Sequence, residues 1–240
     1  MNVEDQQVLP TPEVPVYSVP WKFMDNWIAV GMLALISGAL FIVAAQGVGT
    51  DIIQTAGILL IELVYLLPVV LIFAWRRVHW KVLGFGRFTL ETMGIGCGLL
   101  IGAYSIIIVH NVILYFLGVD TQGEEIMKIF AELESPVWFF IVGVVMAPIV
   151  EEVFFRGFLF QGFRQKYGWI TAALLSSAIF AVAHMDLVAL IPTFILGVVL
   201  AYVYHRSNSV WPGVILHFLV NAMGFCATYF AIYFQDSIPS

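Results

Sequence analysis

WFFIVGVVMAPIVEEVFFR occupies residues 138–156, and its first thirteen residues are uncharged before Glu151 and Glu152 arrive together. A carboxylate in an apolar run is costly in lipid, so such a group is a candidate functional residue unless a partner neutralises it. The surroundings settle which solvent applies. Of 240 residues, 61% are hydrophobic and 11% charged, where a soluble domain carries about 25% charged residues. The expected fold is all-α, a polytopic membrane helix bundle of about seven transmembrane helices around a polar cavity.

Seven apolar runs of roughly spanning length lie at 27–46, 55–75, 91–118, 137–160, 169–187, 189–205 and 211–234. Ser135–Pro136 reads as an N-cap and first helical residue for the fourth run, and Pro192 interrupts the sixth. GIGCGLLIG at 94–102 points to close helix packing. Cys97 and Cys226 read as small packing residues. The acidic, proline-containing start lacks the basic and apolar regions of a signal peptide and reads as a disordered tail.

Lys and Arg set the orientation. Lys22, Arg76, Arg77, Lys81, Arg87, Arg164, Lys166 and Arg206 fall on one side if seven spans alternate, and Lys128 falls on the other. This predicts a cytoplasmic N-terminus in a multi-pass protein. The absence of a transit-type start favours a cell (plasma) membrane.

Adjacent helical residues point about 100° apart, so Glu151 and Glu152 face different surroundings. Glu152 and Arg156 are i, i+4 with the acid first, the favoured order for a helical ion pair. They are read as a structural pair. Glu151 has Phe154 and Phe155 as its helical neighbours and is read as a general base or acid. His184 is placed mid-span in the fifth run, and His217 and Asn221 share a face of the seventh. At about 1.5 Å per residue, the depths are about 18 Å for Glu151, 22 Å for His184, 10 Å for His217 and 16 Å for Asn221. A carboxylate and an imidazole can deprotonate water, while an imidazole and an amide can donate to an oxyanion. Glu151 and His184 would therefore activate water, and His217 and Asn221 would stabilise a tetrahedral intermediate. Alternatively Glu151, His184 and His217 could bind zinc with one position open, although no HExxH helix is present. Glu62, His110 and Asn111 are read as interhelical contacts first and cavity lining second. Asp186 is expected to cap the turn after the fifth run or to border the outer mouth of the cavity, and His205 to lie in a loop.

EEVFFRG (151–157), FAVAH (180–184) and HFLVN (217–221) resemble, in order, the three motifs of the CPBP family. That family takes in CaaX prenyl endopeptidases of the Rce1 type and bacterial Abi proteins. The resemblance covers about residues 137–225 and implies an intramembrane peptidase with a cavity open to the cytoplasm. It carries the catalytic glutamate to Glu151, the second glutamate and arginine to Glu152 and Arg156, the water-activating histidine to His184, and the oxyanion pair to His217 and Asn221. The family is often named as metalloproteases, so the cofactor expectation is none or zinc, with a lean to metal-free chemistry because an asparagine ligates zinc poorly. The domains expected are a cytoplasmic tail at 1–26, N-terminal transmembrane helices at 27–118, an extracytoplasmic loop at 119–136 and a CPBP-like catalytic bundle at 137–234. Expected partners are a peptide or membrane-protein substrate, lipidated or not, and the lipid bilayer, with no nucleic acid. The alternative is a non-enzymatic transporter or scaffold using the buried carboxylates and histidines as a proton relay. Clustering of the polar groups in the second half argues against it, since transporters tend to place such features in both halves.

Overall fold

A computed structural model describes residues 18–45, 51–119, 137 and 140–234. The Ser135–Pro136 cap, nearly all of the 119–136 loop and the first seventeen residues lie outside the described residues.

Every regular element among the described residues is helical. They are α1 (Phe23–Ala45), α2 (Asp51–Arg76), a short 3-10 turn (Trp80–Leu83), α3 (Leu90–Phe116), a π-helical segment (Phe140–Met146), α4 (Ala147–Glu152), a second π-helical segment (Val153–Phe160), α5 (Gln161–Ala183), α6 (Leu190–Ser207) and α7 (Trp211–Phe234). Among the described residues, four helices are long and apolar enough to cross a membrane: α1, α3, α6 and α7. The protein is a helical membrane protein.

The boundaries differ from the sequence reading in three places. Residues 140–183 hold the two helices expected at 137–160 and 169–187, but the connection between them is helical up to Gly168 rather than a loop. Its break is a single residue, Gly168, at φ 78 and ψ 172. Nothing lies within 4 Å of a Cβ built there, so backbone conformation alone calls for glycine. Pro192 does not interrupt α6. It sits in the first turn, where the amide it lacks would have no helical partner. His205 lies in α6 and stacks on Trp169 at 4.6 Å rather than lying in a loop.

Polar side chains tie the run that carries Glu151 to the rest of the bundle. π-helical turns shift the backbone carbonyls, leaving groups that need other donors. Asn26 Nδ2 donates to the Leu159 carbonyl at 3.2 Å, and its Oδ1 accepts from Trp21 Nε1 at 3.0 Å. Gln161 Nε2 donates to the Gly157 carbonyl at 2.6 Å and to the Val82 carbonyl at 2.8 Å. A Cβ at Gly157 would stand 2.9 Å from the Leu83 carbonyl oxygen. That close approach accounts for the glycine ending EEVFFRG. Arg76 donates to Asp25 at 2.8 and 3.0 Å, joining α2 to α1. Trp21, Phe73 and Phe158 fill the space between, with Trp21 stacked on Phe158 at 5.0 Å.

Candidate active site

α4 ends on the two glutamates, and the structure sends them to different surroundings. Glu152 is wholly buried, with Oε1 2.5 Å from Arg156 Nη1. Arg156 is equally buried, donates from Nη2 to the Gly197 carbonyl at 3.2 Å, and lies over the Phe180 ring at 4.4 Å. Glu151 instead lines a cavity of about 730 Å³ together with His184, His217 and Asn221. Its Oε2 has no hydrogen-bond partner.

The histidines arrive from two directions. His184 is not mid-span. α5 ends at Ala183 and His184 is its C-cap, followed by Met185 at φ 51. Asp186 Oδ1 then accepts from the amides of Val188 and Ala189, capping the turn as expected. His184 Nδ1 lies 2.7 Å from the Phe180 carbonyl. A carbonyl only accepts, so Nδ1 carries the hydrogen and the neutral ring offers its lone pair on Nε2. The first residue of FAVAH thus fixes the tautomer of the last.

His217, on α7, is 2% exposed and lies between the two glutamates. Its Nε2 is 3.8 Å from Glu151 Oε2, and its Nδ1 is 3.5 Å from Glu152 Oε1. The sequence reading missed the second of these contacts. One turn later Asn221 donates from Nδ2 to the Gly143 carbonyl at 2.9 Å. This leaves its other N–H and its oxygen available toward the cavity. Phe180 joins the parts, with ring contacts to His184 at 4.7 Å, His217 at 5.7 Å and Phe155 at 4.9 Å. No hydrogen bond or ion pair joins Glu151 directly to His184 among the described residues.

Two further readings change, that of Glu62 with Asn111 and that of the cysteines. Among the described residues, no three His, Cys, Asp or Glu side chains are grouped to hold a metal ion. Glu62 and Asn111, read first as interhelical contacts, line the cavity beside Glu151. Neither sits in a recognisable motif, so their place on a shared cavity wall is what finds them. Cys97 and Cys226 are exposed free thiols rather than buried packing residues.

Gly213 on α7 makes the close fit around Glu152 possible. A Cβ there would stand 2.5 Å from Glu152 Oε2, and Arg156 holds that carboxylate in place. Gly213→Ala is expected to destabilise the protein by about 1–3 kcal/mol, read as a lower melting temperature in detergent.

Comparison with known proteins bears on the stretch of chain that carries this site. Residues 133–223 match the family described as type II CAAX prenyl endopeptidase Rce1-like, so the resemblance carried by the three motifs is borne out over this stretch. The chain is 28% identical over 124 residues to a Bacillus subtilis (strain 168) protein named "Putative membrane peptidase YdiL", covering 52% of this chain and 51% of that one. The chain thus spans about half the length of that relative. It is 28% identical over 170 residues to an uncharacterized 24.3 kDa Escherichia coli protein, covering 68% of this chain and 75% of the relative. A Lactococcus lactis protein, UPF0177 protein YxdF, is 27% identical over 150 residues, covering 62% and 76%. No solved structure matches the chain at a significant level.

Proposed function

We propose that the protein is an intramembrane endopeptidase that hydrolyses a peptide bond near the membrane. The observation that carries this is the meeting of Glu151, His184, His217 and Asn221 at one cavity from three separate stretches of chain. The match to an endopeptidase family over 133–223 supports it.

The reaction follows from hydrogen-bonding capacity. A water in the cavity donates one hydrogen to His184 Nε2, the ring nitrogen left with a lone pair by the bond to Phe180. Glu151 accepts the other proton as the water oxygen bonds to the scissile carbonyl carbon. The carbonyl π electrons move to oxygen, and the free Asn221 N–H and a hydrogen on His217 Nε2 donate to that oxyanion. When the tetrahedral intermediate collapses, the carbon–nitrogen bond breaks and Glu151 returns its proton to the leaving amine. Glu152 and Arg156 touch no reacting atom and hold His217 and Phe180 in register. We read the chemistry as metal-free, because His217 faces two carboxylates and asparagine serves an oxyanion better than a metal. Zinc analysis and chelator treatment check this: activity is expected to survive chelation.

The substrate would be a peptide or membrane protein, lipidated or not, reached from the cytoplasmic side of a cell membrane with the N-terminus cytoplasmic. Arg87 is exposed in the loop between α2 and α3. With Cys97 and Cys226 replaced by alanine, Arg87→Cys is expected to react with an impermeant thiol reagent only when the cytoplasmic face is accessible, and labelling of intact cells would reverse the orientation.

The test of function is incubation of purified protein in detergent with a membrane-peptide library, with new termini identified by mass spectrometry. Cleavage is expected, and none across a broad library would contradict the reading. Asn221→Ala is expected to reduce kcat by about 10²–10³-fold with little change in KM, because the oxyanion exists only after attack. An unchanged kcat would remove Asn221 from the oxyanion site.

A further inference from the structure

Glu62 is a buried carboxylate that the reaction above leaves unused, and no salt bridge holds it among the described residues, unlike Asp25 and Glu152. It is 7% exposed on α2, its Oε2 has no hydrogen-bond partner, and it lines the same cavity as Glu151. Tyr65, three residues on, packs its ring on Phe154 at 5.8 Å and on Phe155 at 5.5 Å. That face of α2 is therefore held against the segment that follows Glu151. No lysine or arginine is among the described residues that line the cavity. Arg156 is committed to Glu152 and the Gly197 carbonyl, and Arg76 to Asp25. Nor are three carboxylate or imidazole groups gathered for a divalent cation among the described residues. The cavity thus presents two carboxylates with no lysine or arginine among its described lining residues, and of the two only Glu151 has a histidine in ion-pair range, His217 at 3.8 Å.

We propose that Glu62 is a specificity residue that holds a cationic side chain of the substrate, a lysine or arginine close to the scissile bond. This rests on the peptidase reading and names the class of peptide it takes. A basic side chain suits the cavity in both of its parts. Its aliphatic stem can lie along apolar lining such as Leu100, Ala103 and Ile107 while its charged end meets Glu62. A substrate without the cation would leave a buried carboxylate unpaired, and unpaired buried groups are what give polar sites their strongest discrimination. The cation also brings a countercharge beside Glu151, which must be ionised to take a proton from water.

The test is a binding measurement with two blocked tripeptides, acetyl-Leu-Lys-Leu-amide and acetyl-Leu-Gln-Leu-amide, on wild type and Glu62→Gln in detergent. Wild type is expected to bind the lysine peptide at least about tenfold more tightly than the glutamine peptide. In Glu62→Gln that ratio should fall close to one while the peptide-free melting temperature stays near wild type. Equal binding of the two peptides by wild type overturns the proposal, and that arm needs no variant to fold. A ratio that persists in Glu62→Gln overturns it as well. The peptidase reading fails separately, on the absence of cleavage, so a protein that binds and cleaves both peptides equally loses only this inference.

Discussion

Glu151→Gln is expected to lower kcat/KM by on the order of 10⁴-fold while the protein folds and melts close to wild type. The amide keeps the volume of the carboxylate and its place on the cavity wall, so packing gives no reason for a change in stability. It cannot accept a proton from water, and every later step depends on that transfer. Because Glu151 is not in the Arg156 ion pair, its loss strands no buried cation. A variant that cleaves at a tenth of the wild-type rate or better would mean that the base is another residue, with His184 Nε2 the first to examine.

Arg156→Met is expected to act in the opposite way, on folding first. Arg156 and Glu152 are both fully buried and 2.5 Å apart. Removing one member of such a pair leaves the other as an uncompensated charge and costs about 3–5 kcal/mol. The effect spreads because Glu152 also faces His217 Nδ1, and the guanidinium covers the Phe180 ring. Reduced folded yield and a melting temperature lower by many degrees are the expected readings. A variant of normal stability and no activity would place Arg156 in the chemistry instead.

How much of this was legible in the sequence differs from residue to residue. Glu152 and Arg156 could be paired from spacing, because i, i+4 neighbours meet on any helix, and the same rule set His217 and Asn221 on one face. Composition gave the membrane, since 61% hydrophobic residues leave few soluble alternatives. The π-helical segments around α4 were not legible, because they arise from shifts in backbone bonding that no side chain announces. They also weaken depth counting at a fixed rise. His184 shows the same limit, since α5 ends at Ala183 where an apolar run continued to 187. Phe180 was quoted within a motif, yet its role needs the carbonyl bond to His184 and the ring contacts on three sides. Glu62 was visible as a charge in a span. Only the folded cavity tells it apart from an interhelical contact.

The most direct test compares Glu151→Gln and Glu152→Gln side by side, measuring peptide-library cleavage and thermal melting on the same preparations. The account predicts a stable, inactive protein for Glu151→Gln and a destabilised one for Glu152→Gln, with whatever Glu152→Gln protein folds retaining cleavage. A stable, inactive Glu152→Gln beside an active Glu151→Gln would contradict the assignment of chemistry to the first glutamate and structure to the second.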